Sequence, residues 1–192
     1  WDGVTDYTGT IYVDGTDVYV GGGFFNVGGV TGATYVARWD GSAWHALDSG
    51  LNSPPSAILR MGGDLYFAGP FTNAGGDPGA DYIARWDGSA WHALGTSALN
   101  SMAFCLATDG SKLYVGGQFT NAAGIPEGDN VAVWDGSSWS ALGNGLPYPV
   151  RSLQFYASKL HAAGGWPYLS KFDGGSWTTI SGLSAASNVY QA

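Results

Sequence analysis

The sequence predicts an all-β fold, a β-propeller built from four-stranded antiparallel blades. Two observations carry this prediction: a Trp-Asp-Gly triplet that returns along the chain, and short apolar segments separated by Gly-rich turns around each copy. Copies roughly 40 to 50 residues apart indicate one supersecondary unit used repeatedly, which is typical of stacked or circular repeat proteins. The triplets begin at Trp1, Trp39, Trp86, Trp134 and, with phenylalanine in the first place, Phe172.

The clearest copy contains four strand segments. Ala57–Met61 and Leu65–Gly69 flank a Gly-Gly-Asp turn, and Tyr82–Trp86 and Ser89–Leu94 flank an Asp-Gly turn. Four short strands joined in this way form one antiparallel meander. A lone meander cannot bury both of its faces, whereas a radial array buries each sheet against its neighbours. We therefore expect one β-propeller domain over residues 1–192, with repeats at about 9–48, 56–95, 100–143 and 150–181.

The two ends of the chain resemble parts of a further blade. Residues 1–8 and 187–192 each contain an incomplete blade strand and no full repeat. Three arrangements accommodate them: a closed four-bladed ring with a seam of terminal strands, a section of a larger propeller, or an open blade completed by another copy. The last arrangement predicts an oligomer or filament, because an exposed strand edge is a template for pairing.

The repeated aromatic and Asp-Gly residues are expected to be structural. Asp-Gly between two strands is hairpin chemistry, since aspartate tolerates positive φ and bonds its own backbone. Tryptophans at the same place in every copy are expected to pack between blades. The structural set is Trp39, Asp40, Gly41, Trp44, Trp86, Asp87, Gly88, Trp91, Trp134, Asp135, Gly136, Trp139, Phe172, Asp173, Gly174 and Trp177.

The repeat resembles the kelch-like and Rax2-like repeats of secreted β-propellers. The resemblance rests on an L-Y-V-G-G segment at Leu113–Gly117 and an I-A-R-W-D-G-S-x-W segment at Ile83–Trp91, and it extends over nearly the whole chain. It implies a propeller fold and an extracellular or cell-surface location. It does not imply one function, because such propellers host many roles.

Composition argues against several classes of partner. The net charge is −8, and the seven basic residues are dispersed, so no basic patch is available for nucleic acid. No apolar run approaches the roughly 20 residues that span a bilayer, so no membrane insertion is expected. Few Lys and Glu residues with much Gly, Ser, Thr and Asn favour an exported protein.

Candidate ligand-binding residues are few. The loops after the second strands carry Asn73 and Asn121, Trp166 is out of phase with the other tryptophans, and His45 and His92 share one repeat position. Variable loops on one side of a propeller are the default place for a ligand. No nucleophile–base order, metal motif or phosphate loop is present, so we expect no catalytic residue, no metal and no cofactor.

These observations together predict a non-catalytic extracellular propeller that binds a protein or glycan at its blade loops, or that assembles with itself. Two alternatives remain open at this stage. Paired tryptophans also suit a carbohydrate-binding lectin, and a chain with incomplete blades also suits a fragment of a larger propeller enzyme.

Overall fold

The computed structural model describes residues 8–96, 99–164 and 169–181. It contains four antiparallel sheets, each of four strands in consecutive order, so the all-β fold with β-propeller-type blades is confirmed. Blade 1 consists of β1 Thr8–Asp14, β2 Asp17–Gly22, β3 Val36–Trp39 and β4 Trp44–His45, and blade 2 of β5 Ala57–Met61, β6 Asp64–Ala68, β7 Ile83–Trp86 and β8 Trp91–His92. Blade 3 consists of β9 Ala103–Thr108, β10 Leu113–Gly117, β11 Val131–Trp134 and β12 Trp139–Ala141. Blade 4 consists of β13 Val150–Tyr156, β14 Lys159–Gly164, β15 Leu169–Phe172 and β16 Trp177–Thr179.

The chain divides into two compact units, Trp1–Ala98 with blades 1 and 2, and Leu99–Ala192 with blades 3 and 4. Short 3₁₀ turns follow the second strand of three blades, at Val27–Gly29, Ala74–Gly76 and Ala122–Gly124. Of the terminal pieces at 1–8 and 187–192, expected to be incomplete blade strands, residues 1–7 and 187–192 lie outside the described residues, and Thr8 is the first residue of β1.

The fourth strands are shorter than the sequence predicts. The segment expected at Ser89–Leu94 is reduced to Trp91–His92. The Ser89 and Ala90 N–H groups donate to the side chain of Asp87 and therefore belong to the turn. At the other end, the N–H of Ala93 donates to Oδ2 of Asp77 in the preceding loop at 3.0 Å. Side-chain acceptors thus replace ladder partners at both ends of the strand.

Each unit buries its core between its two blades. In unit 1, Tyr19, Leu47 and Leu51 of blade 1 pack with Ile58 and Phe67 of blade 2. In unit 2, the core combines residues of both blades, among them Leu142, Tyr148, Val150, Leu153 and Leu160. A meander buries one face against its neighbour in this way, which is the physical reason for repeating the blade.

One tryptophan hydrogen bond recurs at both of these blade contacts. In unit 1 the indole Nε1–H of Trp91 donates to the carbonyl of Leu47, at 3.0 Å. In unit 2 the indole of Trp177 donates to the carbonyl of Leu142, at 2.8 Å. The second tryptophan of blades 2 and 4 therefore ties its blade to the preceding blade of the same unit. We call this contact the tryptophan latch.

In blade 3, the two glycines at the end of the second strand, Gly116 and Gly117, allow close packing. A Cβ added to Gly116 would lie 2.6 Å from Cγ1 of Val150 and 2.7 Å from Sγ of Cys105. A Cβ on Gly117 would lie 2.2 Å from the carbonyl oxygen of Met102. Neither glycine has a positive φ. Close approach of neighbouring atoms, and not a positive φ, therefore explains the two glycines.

Candidate functional site

The Asp-Gly turns are closed by their own aspartate side chains. Oδ1 of Asp87 accepts the N–H groups of Ser89 and Ala90 and the hydroxyl of Ser89, each at 2.8 Å. These hydrogen bonds lower the pKa of Asp87, with that from the Ala90 N–H the largest cause. The same Oδ1 geometry recurs at Asp40 and Asp135. The triplet thus has a structural explanation in the hairpin turn.

Two of these aspartates also bind a histidine. Nε2 of His45 lies 2.5 Å from Oδ2 of Asp40, and Nε2 of His92 lies 2.6 Å from Oδ2 of Asp87. This pairing between aspartate and histidine was not predicted from the sequence. The available signal is that both occur five residues apart in the same two repeats, with Ser140 in the histidine position of blade 3.

The chemistry of these turns differs from that of a nucleophile–base pair. The hydroxyl of Ser42 donates to Oδ1 of Asp40 at 2.7 Å, and His45 binds the other oxygen of the same carboxylate. In a catalytic triad the imidazole lies between hydroxyl and carboxylate, so that it takes the proton of the hydroxyl. Here the carboxylate lies between the other two groups, so the histidine does not activate the serine.

The predicted asparagines lie in exposed loops with left-handed backbone. Asn73 has φ 51° and Asn121 has φ 49°, a conformation that asparagine adopts more readily than most residues. Their N–H groups donate to Oδ1 of Asp81 and Asp129, at 2.7 and 2.8 Å. The backbone explains the residue type at both places, and a ligand role there stays a prediction. Trp166 lies outside the described residues.

A groove opens between the two blades at the same place in each unit. In unit 1 it has a volume of about 230 Å³ and is lined by Tyr19, Arg38, His45 and Trp86, among others. The guanidinium of Arg38 is paired with Asp17, Nη1 to Oδ2 at 2.9 Å. Burial is the largest cause of a raised pKa at Tyr19. Of the sequence candidates, the structure brings only His45 into this groove; His92, Asn73 and Asn121 do not line it.

The groove of unit 2 is larger, about 360 Å³, and differently charged. Its lining includes Asp109, Tyr114, Phe155, Lys159 and Asp173. Nζ of Lys159 forms an ion pair with Oδ1 of Asp173, and the Tyr114 hydroxyl donates to Oδ2 of Asp109 at 2.8 Å. Burial first, and then that hydrogen bond, raise the pKa of Tyr114 to about 12. The repeat thus places a groove between the blades of each unit, with a different set of polar groups in each.

Asp109 closes a hairpin turn of the same type at an Asp-Gly-Ser sequence that lacks a preceding tryptophan and was missed in the sequence. Burial raises the pKa of Asp109, but hydrogen bonds from Ser111, Tyr114 and the N–H of Lys112 outweigh it and lower the pKa to about 2. A carboxyl whose folded-state pKa is depressed stabilises the fold above its unfolded-state pKa of about 3.9. That stabilisation is lost as the pH falls through the folded-state value.

We therefore expect Asp109→Asn to reduce the loss of stability that the wild type shows as the pH falls. The urea midpoint of the wild type should fall as the pH drops from about 4 to about 2, and that of the variant should fall less. Midpoints measured at several pH values test this. Glu127→Gln is the matched control, because Glu127 is exposed in a loop and its carboxylate has no hydrogen bond among the described residues. Equal slopes for Asp109→Asn and the wild type would contradict the prediction.

The sheet face of blade 1 that points away from blade 2 is exposed. Tyr12 packs against the core of unit 1, while the alternating residues Ile11 and Val13 are 66% and 61% exposed. The register places Ile11 opposite Val20, as Ile58 lies opposite Phe67 in blade 2, and Ile58 is only 8% exposed because it contributes to the core between the blades. We call Ile11, Val13 and Trp44 the leading face of blade 1.

Residues 8–96, 99–164 and 169–181 contain neither a metal-binding cluster nor a membrane-spanning helix. Among those residues there is no group of three or more His, Cys, Asp and Glu side chains that could hold a metal ion. In the same part of the chain, no helix has the length and apolar character needed to cross a bilayer.

Similar folds occur among solved structures of designed proteins. The crystal structure of the computationally designed Ika8 protein matches with a TM-score of 0.57 at 14% identity, and covers 92% of this chain and 48% of Ika8. That of the computationally designed Ika4 protein matches with a TM-score of 0.58 at 13% identity, and covers 94% of this chain and 95% of Ika4. This chain therefore spans about half the length of Ika8. At such identities the likeness concerns the fold alone.

No protein-family model matches the chain, and no curated protein matches it. The kelch-like and Rax2-like resemblance therefore stays a prediction from the repeat motifs.

Proposed function

We propose that this protein is a non-catalytic extracellular module that works by binding and assembly, and that its leading face is the surface of association. The observation that carries the proposal is the exposure of Ile11 and Val13, 66% and 61%, on an edge strand. Apolar side chains clustered on the face of an edge strand favour association with another protein surface.

The two blade contacts inside the units support this proposal. In unit 1, Ile58 of blade 2 is buried against blade 1, and in unit 2, Leu153 at the same register position is 5% exposed within the core of blades 3 and 4. In both units, therefore, the side chain at this position is buried by the preceding blade of the same unit. Ile11 of the leading face holds the place of Ile58 and Leu153, so this face suits an apolar protein surface of the kind that covers those two residues.

The arrangement of polar groups also favours binding over catalysis. Asp40 and Asp87 use both carboxylate oxygens for contacts within the hairpin, and His45 and His92 bind these aspartates. The extracellular location is proposed from the composition, in which Lys and Arg number seven of 192 residues, and from the resemblance of the repeat to secreted propellers.

Sedimentation velocity over a wide range of protein concentration tests this function. We expect the wild type to exceed the 19.9 kDa of one chain as the concentration rises, and Ile11→Asp to stay at that mass. An aspartate in the contact would be desolvated without a partner, which is costly. Phe25→Asp is the matched control, because Phe25 is 62% exposed but lies outside the leading face, and it should associate like the wild type. A wild type that stays monomeric at all concentrations would overturn the proposal.

A further inference from the structure

We propose that the partner of the leading face is blade 4 of a second copy of this chain, docked head to tail so that Val13 faces Tyr156 and Trp44 latches onto the carbonyl of Ile180. The inference rests on the proposed function and names its partner. The contact between blades 1 and 2 is the template for this docking, and each of its residues has a counterpart at the same place on one of the free faces.

The ends of the first strands provide the first match between the two free faces. In unit 1, Nη1 of Arg60 in β5 pairs with Oδ2 of Asp14, the last residue of β1. Val13 holds the place of Arg60, since Val13 lies opposite Val18 as Arg60 lies opposite Leu65. Tyr156 holds the place of Asp14, since each is the last residue of its first strand and lies opposite the first residue of the second.

The two free places match each other chemically. Where blade 2 follows blade 1, the pair is an arginine and an aspartate, which bind through charge. At the free faces, the same two places hold valine and tyrosine, with Val13 61% and Tyr156 75% exposed in the single chain. Both members change together from charged to apolar or aromatic, so a contact between them would bury two complementary surfaces.

The second step concerns the tryptophan latch. Trp91 donates to the Leu47 carbonyl of the preceding blade, and Trp177 donates to that of Leu142. Trp44 is the corresponding tryptophan of blade 1, and its indole N–H has no hydrogen-bond partner among the described residues. Ile180 occupies in blade 4 the place of Leu47 and Leu142, three residues after the second tryptophan of its repeat. One copy therefore offers the free donor and the matching carbonyl on different faces.

The third step concerns the face of blade 4 that would receive the partner. In blade 1, Val36 and Leu47 are fully buried under blade 2. The corresponding Leu169 and Ile180 of blade 4 are only half-buried. An apolar face thus remains partly open at the blade where the partner is expected. Because the two faces differ, the contact is heterologous, and it closes into a ring if the rotation permits or continues as a filament if it does not.

Cysteine pairing between copies tests this orientation. Val13→Cys and Tyr156→Cys are made in separate chains that carry Cys105→Ala, then mixed and oxidised with oxidised glutathione, which accepts the electrons of the two thiols. We expect a covalent dimer in the mixture and none from either variant alone, because each cysteine faces an unmodified residue there. A mixture of Phe25→Cys with Tyr156→Cys is the control and should stay unlinked.

Three outcomes would overturn the inference, and the first two differ from a failure of the proposed function. Association in sedimentation without a mixed covalent dimer, or with dimers from one variant alone, would keep assembly but reject head-to-tail docking. A disulfide within one chain in the double variant Val13→Cys/Tyr156→Cys, without dimers, would identify the chain's own blade 4 as the occupant. A wild type that does not associate at all rejects the proposed function itself.

A separate measurement tests the tryptophan latch between the two copies. Trp44→Phe removes the donor and keeps an aromatic ring, so we expect the dissociation constant of the assembly to rise about five- to tenfold. The same exchange at Trp134 should leave the constant unchanged, because blade 4 already carries phenylalanine at that place, Phe172. Equal effects of the two exchanges would reject the Trp44 contact.

Discussion

Replacing Phe67 with alanine is expected to lower the free energy of unfolding by about 3–5 kcal/mol, the range for removing a buried phenylalanine. Phe67 lies in the central strand β6, is 0% exposed and belongs to the core between blades 1 and 2. Its ring meets that of Trp91 edge to face, with centroids 4.9 Å apart. The change therefore opens a cavity beside the tryptophan latch, and urea unfolding followed by tryptophan fluorescence measures the loss.

Phe25→Ala is the matched control for this experiment. Phe25 is 62% exposed and contacts the ring of Tyr35, so the same atoms are removed from a place that is largely solvated. We expect its free energy of unfolding to change by less than about 1 kcal/mol. Similar losses for Phe67→Ala and Phe25→Ala would show that the core does not lie between the blades as described.

The second large effect is expected at Gly117. A methyl group there would lie 2.2 Å from the carbonyl oxygen of Met102 and 2.9 Å from Cα of Ala103. Both atoms belong to the backbone at the start of β9, so they cannot turn aside as the end of a side chain does. We expect Gly117→Ala to cost about 3 kcal/mol or more, at the upper end of the range for overpacking. Thermal and urea unfolding test the size of this loss.

Gly175→Ala provides the comparison within the same unit. A Cβ at Gly175 meets no atom within 4 Å, and its φ is not positive. Here alanine should be neutral or slightly stabilising, because it restricts the unfolded chain without straining the folded one. If Gly117→Ala behaved like Gly175→Ala, close approach would not explain the glycine pair.

The strands of the repeat could be predicted from the sequence, because their signals are local. Apolar segments such as Leu113–Gly117 and the Asp-Gly turns specify strand and turn without reference to the rest of the chain. The residues at which the fourth strands begin and end could not be predicted in this way. They depend on Asp77, which lies 16 residues before Ala93 and takes the N–H that would otherwise extend β8.

The candidate site was predicted less well, because it depends on contacts between blades and on the paths of side chains. The Asp40–His45 pair required knowing that both side chains lie on one side of a hairpin. The exposure of Ile11 and Val13 was hidden, because their pattern is the same as that of the buried Ile58. A repeated sequence identifies the residues that can form a contact between blades. Only the structure shows whether a neighbouring blade covers them.

The consecutive strand order of the blades has a consequence for folding. Within residues 8–96, 99–164 and 169–181, every strand pairs only with its neighbours in sequence, so each blade is a continuous meander. Contacts of this kind close small loops and favour fast formation relative to β-sandwiches with distant pairings. Cooperativity within a unit must then come from the surface between its two blades, as in a one-dimensional array whose elements stabilise their neighbours. Weakening such a surface should separate the unfolding of the two blades before it abolishes the structure of either.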